Sequence, residues 1–136
     1  MMIVYSGNLR VFHLSRRYEV FVPATEDEAA AYEQAYYRDL PQRIAPPLEI
    51  LDEAFPRVAQ ACRAAGITTP IARIGLVLDE YEDEPDAVVD EISTLTGVND
   101  LKLSFTRRAE LDLFLCAYEA VLPTSGSGGE ETGNGR

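Results

Sequence analysis

The sequence predicts an α+β fold: antiparallel hairpin strands at the N-terminus, two helices, then a β-α-β-α unit, all packed as one sheet with helices mainly on one face. Three observations carry this prediction. Period-two apolar character is concentrated before Pro23. Apolar residues then recur at steps of three and four between Thr25 and Ala65. Two strand-helix units follow in succession from Ile71 onward. Hairpins segregated from helices favour α+β over a doubly wound sheet.

Ile3 to Tyr5 is apolar, Ser6-Gly7-Asn8 is a turn signal, and Leu9 to Leu14 resumes apolar character. Ser15-Arg16-Arg17 breaks the run, after which Tyr18, Val20 and Val22 alternate with Glu19 and Phe21. Thr25 and Glu28 have capping-box spacing, and Glu26, Asp27 and Glu28 suit the positive end of a helix dipole. Ala29, Tyr32, Tyr36 and Leu40 form the inward stripe of that helix, which Pro41 closes. Pro46-Pro47 opens the next. There Leu48, Leu51, Phe55, Val58, Cys62 and Ala65 keep helical spacing across Pro56, which predicts a kink or two short helices sharing a face. Gly66 ends it.

The stretch from Pro70 to Leu95 reads as the centre about which the chain packs. Ile71 to Leu78 is almost continuously apolar, the pattern of a strand covered on both faces. Six acids follow: Asp79, Glu80, Glu82, Asp83, Glu84 and Asp86. Pro85 suits a first helical turn. Val88, Val89, Ile92 and Leu95 define an amphipathic helix that Gly97 stops. Leu101, Leu103 and Phe105 then alternate with Lys102, Ser104 and Thr106, predicting a strand with one buried and one wet face. Leu111, Phe114, Leu115, Tyr118 and Leu122 mark a final helix stopped by Pro123. The strand-helix-strand from Ile71 to Phe105 admits a parallel crossover or an antiparallel placement. Residues 1–123 are expected to form a single domain, and residues 124–136, TSGSGGEETGNGR, a disordered Gly/Ser-rich tail.

An apolar fraction of 46% is ordinary for a globular chain, and a length of 136 residues allows a real core without disulfides. No apolar run reaches the roughly 20 residues of a membrane span, and the first residues lack the pattern of a secretion signal. Cys62 and Cys116 both fall on predicted core faces, as expected of reduced thiols in a cytoplasmic protein. The net charge of −11 argues against nucleic acid and anionic membranes as direct partners and is compatible with a basic partner or simply with solubility. Almost all the positive charge is arginine, Lys102 being the single lysine.

Candidate chemistry concentrates in the acidic corner. Asp79, Glu80, Tyr81, Glu82, Asp83, Glu84 and Asp86, joined by Tyr37, are the expected protein-binding residues, because tyrosine supplies contact area with a polar tip. Acids before a helix are also expected from the dipole alone. The rival reading has Asp79, Glu80, Glu82 and Asp83 hold a divalent metal for phosphoryl transfer or hydrolysis, but the spacing lacks the pattern of a calcium loop. A third has Arg16, Arg17, Arg107 and Arg108 receive a phosphate or another small anion if the sheet gathers them. His13 stands alone, neither cysteine has a histidine beside it, no serine occupies a nucleophile elbow, and the isolated glycines form no phosphate-cradling loop. No motif calls for a cofactor or marks a metal site. The sequence thus favours a non-enzymatic acidic module that engages a basic protein partner as an inhibitor, immunity-type protein or assembly adaptor. Homo-oligomerisation is left open.

Truncation after Pro123 is expected to leave the thermal midpoint unchanged within error, since the tail's composition buries no apolar surface. A drop of several degrees in a melting scan contradicts this domain boundary.

Overall fold

The computed structural model describes residues 2–4, 8–38, 47–75 and 78–121. The strands β1 (Met2–Val4), β2 (Arg10–His13), β3 (Tyr18–Val22), β4 (Ile71–Ile74) and β5 (Leu101–Phe105) form one sheet in the order β1-β2-β3-β5-β4. Each pairing is antiparallel. Asn8 carries the β1–β2 connection with φ of 64°, a left-handed conformation that asparagine tolerates better than most residues. Between β2 and β3 the amide of Leu14 donates to the carbonyl of Arg17 at 2.8 Å, closing a tight turn. The β4–β5 pairing settles the open choice of connection: the strand-helix-strand unit is antiparallel.

Helix α1 (Glu26–Arg38) begins at the predicted capping box. The Thr25 amide donates to Glu28 Oε1 at 2.8 Å, and the Glu28 amide to Thr25 Oγ1 at 3.1 Å. Pro56 divides the second helical region into α2 (Pro47–Ala54) and α3 (Pro56–Ala64). Because Pro56 has no N–H, the carbonyl of Asp52 loses its helical donor, while the Phe55 amide still reaches Leu51 and the Ala59 amide reaches Phe55. The two helices therefore share one apolar face. Gly66, at φ of 78°, turns the chain out of α3. Helix α4 (Asp86–Leu95) starts directly after Pro85, and α5 (Arg108–Ala120) follows β5.

The two sheet faces carry different cores. Val11, Val20, Val22, Leu101, Leu103 and Phe105 face the larger cluster, which α1, α2, α3 and α5 cover with residues such as Tyr32, Leu51, Val58 and Phe114. Phe12 and Phe21 point the other way and meet Leu14, Tyr81 and Ile92, with Val88 and Val89 half-buried beside them. Helices thus lie mainly on one face, with α4 and the short 3-10 helix Leu78–Tyr81 on the second.

Four expectations are corrected. The Pro70–Leu95 stretch is not the centre of packing: β4 is an edge strand that pairs only with β5, and α4 belongs to the smaller cluster. The strand also stops at Ile74 instead of running to Leu78. Gly75 takes φ of 85°, and Leu78–Tyr81 forms a 3-10 helix. An unbroken apolar run carries no period, so an edge strand followed by a 3-10 helix reads like one buried strand; Ile71 is in fact 58% exposed. The face of β5 predicted to be wet is covered, with Lys102 2% exposed. Cys116 is exposed because Leu111, Phe114 and Tyr118 set the inward stripe of α5 and position 116 lies off it; Cys62 is buried as expected, and burial raises its thiol pKa to about 12. The expectations at Ser6, Gly7, Leu40, Pro41, Pro46, Leu122, Pro123 and the tail lie outside the described residues.

Phe105 is buried at the end of β5, with its ring 5.4 Å from that of Phe114. Phe105→Ala is expected to destabilise by roughly 3–5 kcal/mol in urea denaturation. A cost below about 1 kcal/mol contradicts the assignment of this face to the main core.

Candidate functional site

The acidic corner lies against the second face of the sheet, and its anchoring starts from charges in the strands. Register places Arg73 of β4 directly opposite Lys102 of β5. Like charges opposed across strands repel. Glu80, from the 3-10 helix, bridges them: Oε1 receives Lys102 Nζ at 2.5 Å and Oε2 receives Arg73 Nη1 at 2.8 Å. On the neighbouring strand Glu19 is fully buried, 3.6 Å from Lys102 and 2.8 Å from Arg17 Nε. The Tyr81 hydroxyl donates to Glu19 Oε1 at 2.6 Å, and Lys102 Nζ lies 3.3 Å from the same hydroxyl. Arg17 Nη2 also donates to the backbone carbonyl of Glu80 at 2.8 Å. The guanidinium of Arg17 and the ammonium of Lys102 sit 5.3 and 5.2 Å from the centroid of the Tyr81 ring.

These contacts shift the groups they join. Burial raises the Glu80 pKa, but the Lys102 hydrogen bond and the charges of Lys102, Arg73 and Arg17 outweigh it and hold the carboxyl below its ordinary value. Burial, with the hydrogen bond to Glu19 and that carboxylate's charge, pushes the Tyr81 phenol far above its ordinary value. Tyr81 is therefore a neutral donor wedged between charges. A further tie lies downstream, where the Ser15 amide and hydroxyl both donate to the Glu84 carboxylate, at 3.1 and 2.7 Å to Oε2.

The predicted protein-binding set divides accordingly. Asp79, Glu82, Asp83 and Asp86 are exposed, and among the described residues none has a cationic partner. Glu80 and Glu84 face inward to the contacts above. Tyr81, expected on the surface, is 3% exposed; its ring fills the second core while its hydroxyl satisfies Glu19. Tyr37 is 62% exposed but lies on α1, across the sheet from the acidic turn, so the two do not form one surface.

The arginines divide too. The pairing of Tyr18 with Phe105 brings Arg16-Arg17 and Arg107-Arg108 to one end of the sheet. Arg17 is committed to Glu19, whereas Arg107 pairs with Glu110 and Arg108 with Asp112 on their own helix. Arg16 is exposed. Among the described residues no three histidine, cysteine or carboxylate side chains cluster so as to hold a metal ion, and no helix is long and apolar enough to cross a membrane.

The sequence reading missed Glu19, Arg73 and Lys102. A signal for them exists: charges inside three separate apolar strands, with an acid-rich turn after the second. Comparison with protein-family models, curated proteins and solved structures returns no match. The fold and site define an α+β domain that presents an acidic turn locked to its sheet by buried charge.

Two predictions follow from the network. Lys102→Met leaves Glu19 and Glu80 without their shared cation and is expected to cost about 3–5 kcal/mol by urea denaturation, with Lys102→Glu worse still. A mild effect of both contradicts the burial of that amine.

The second concerns acid. A carboxyl whose folded pKa lies below its unfolded value adds stability in full above the unfolded value, and loses it as pH falls through the folded one. The contribution of Glu80 is therefore present above pH ~4.5 and lost below it. Urea midpoints at pH 7 and 3.5 should fall less steeply between the two in Glu80→Gln than in the parent chain.

Proposed function

We propose that this chain is a non-enzymatic, acidic protein-binding module whose partner is a basic protein, acting as an inhibitor, an immunity-type protein or an assembly adaptor. One observation carries the reading. Asp79, Glu82, Asp83 and Asp86 face solvent from a backbone that Glu80, Tyr81 and Glu84 fasten from beneath. Solubility alone needs no fixed geometry, and a mobile acidic loop serves it as well. Charges held in place bind with less loss of conformational entropy and give a partner a definite pattern to match. The module works in the cytoplasm in this reading, in keeping with two cysteines that form no disulfide. It does not contact nucleic acid directly, because a net charge of −11 repels phosphate.

Glu82→Lys combined with Asp83→Lys tests the reading. The partner is first recovered by affinity capture with the parent chain, and association is then timed at low and moderate salt. The double variant is expected to associate more slowly, most clearly at low salt, where screening is weakest. Its stability should change by about half a kcal/mol or less, since both residues are exposed. Unchanged association at both salt concentrations contradicts the assignment of the acidic turn as the contact surface.

A further inference from the structure

We infer that residues 78–95, the 3-10 helix together with α4, form a cover that lifts off the second sheet face as a unit while the main core stays folded. Helix α4 has ten residues and buries only Ile92 fully; the 3-10 helix buries only Tyr81. Beneath them lie Phe12, Leu14 and Phe21. The opposite face is instead packed by four helices around all the inward residues of β3 and β5. Segments with few buried apolar groups open at lower free energy than the whole molecule.

What remains of the hold is polar and sits at the start of the cover. Glu80 reaches Lys102 and Arg73, the Tyr81 hydroxyl reaches Glu19, and Glu84 reaches Ser15. The sheet left behind keeps an anion between two of its cations, because Glu19 retains Arg17 at 2.8 Å and Lys102 at 3.6 Å. The Arg73–Lys102 juxtaposition loses its bridge and Arg17 and Glu19 lose a bond each to the cover, and opening gives these groups water in exchange. Lifting the cover presents the edge-to-face pair of Phe12 and Phe21 and the amine of Lys102, which the closed form withholds. The inference does not depend on the proposed partner. Any molecule gripping the outer side of the cover would nonetheless bias the opening by its differing affinity for the two states.

The chain supplies its own reporters. Lys102 is its only lysine and lies under the cover, whereas Cys62 is a buried thiol of the main core. The full chain is treated across a urea series with an amine-acylating reagent and, separately, with a maleimide, and the modified peptides are quantified by mass spectrometry. Lys102 should be acylated under conditions where Cys62 stays protected, with a shallower dependence on urea because less surface is exposed. Glu80→Gln should raise the Lys102 rate about tenfold or more, reflecting a lost charge-assisted hydrogen bond, and leave Cys62 protected. Glu84→Ala should act in the same direction. Lys102 and Cys62 gaining label in step, with the same urea dependence, overturns the inference. So does a Lys102 rate that neither variant alters.

Discussion

A single ammonium group sets much of what this chain can do. Lys102 lies on β5, next to the edge strand, and is almost wholly buried between Glu19 and Glu80. A lone buried charge is expensive, so it dictates its surroundings. Glu19 must come from the adjacent strand in the observed register, because a slip of one residue would turn it to the apolar face. Glu80 must come from the segment after β4, which brings the acidic turn down onto the sheet. Replacing such a network by well-packed apolar groups is often neutral or stabilising, whereas removing one partner alone leaves a buried charge uncompensated and is costly.

The two faces of the sheet divide the work. One carries an apolar core closed by four helices, and it makes the domain stable. The other carries few apolar residues and many charges, and it holds the acidic turn in position. Cation and anion alternate from the sheet outward: Arg73 and Lys102 lie within, Glu80 bridges them, and Asp79, Glu82, Asp83 and Asp86 face solvent. The outermost layer therefore takes no part in the contacts that hold the layer beneath.

Much of this fold was legible in the sequence because its signals are local. The Thr25–Glu28 capping box, the break at Pro56, and the stripe of Leu101, Leu103 and Phe105 each act within a few residues, and each is found where expected. The second face was not legible. A lysine alternating with apolar residues reads as solvent-exposed, and only the pairing of β3, β4 and β5 and the packing of the 3-10 helix on them show that Glu19, Arg73 and Glu80 surround it. Tyr81 was misread for the same reason: its neighbours in sequence are acids, but its neighbours in space are Phe12, Phe21 and Ile92. Pattern can indicate which residues share a strand face, not what covers that face.

The central claim is that Glu80 and Lys102 act as one unit in fixing the turn. A double-mutant cycle on folding stability, with Glu80→Gln, Lys102→Met and both together, tests it most directly. If the claim holds, the second substitution adds little to the first, giving a coupling of about 1–3 kcal/mol. Additive effects, with coupling below about 0.5 kcal/mol, would mean that the two groups stabilise the fold independently and that the turn is held by something else.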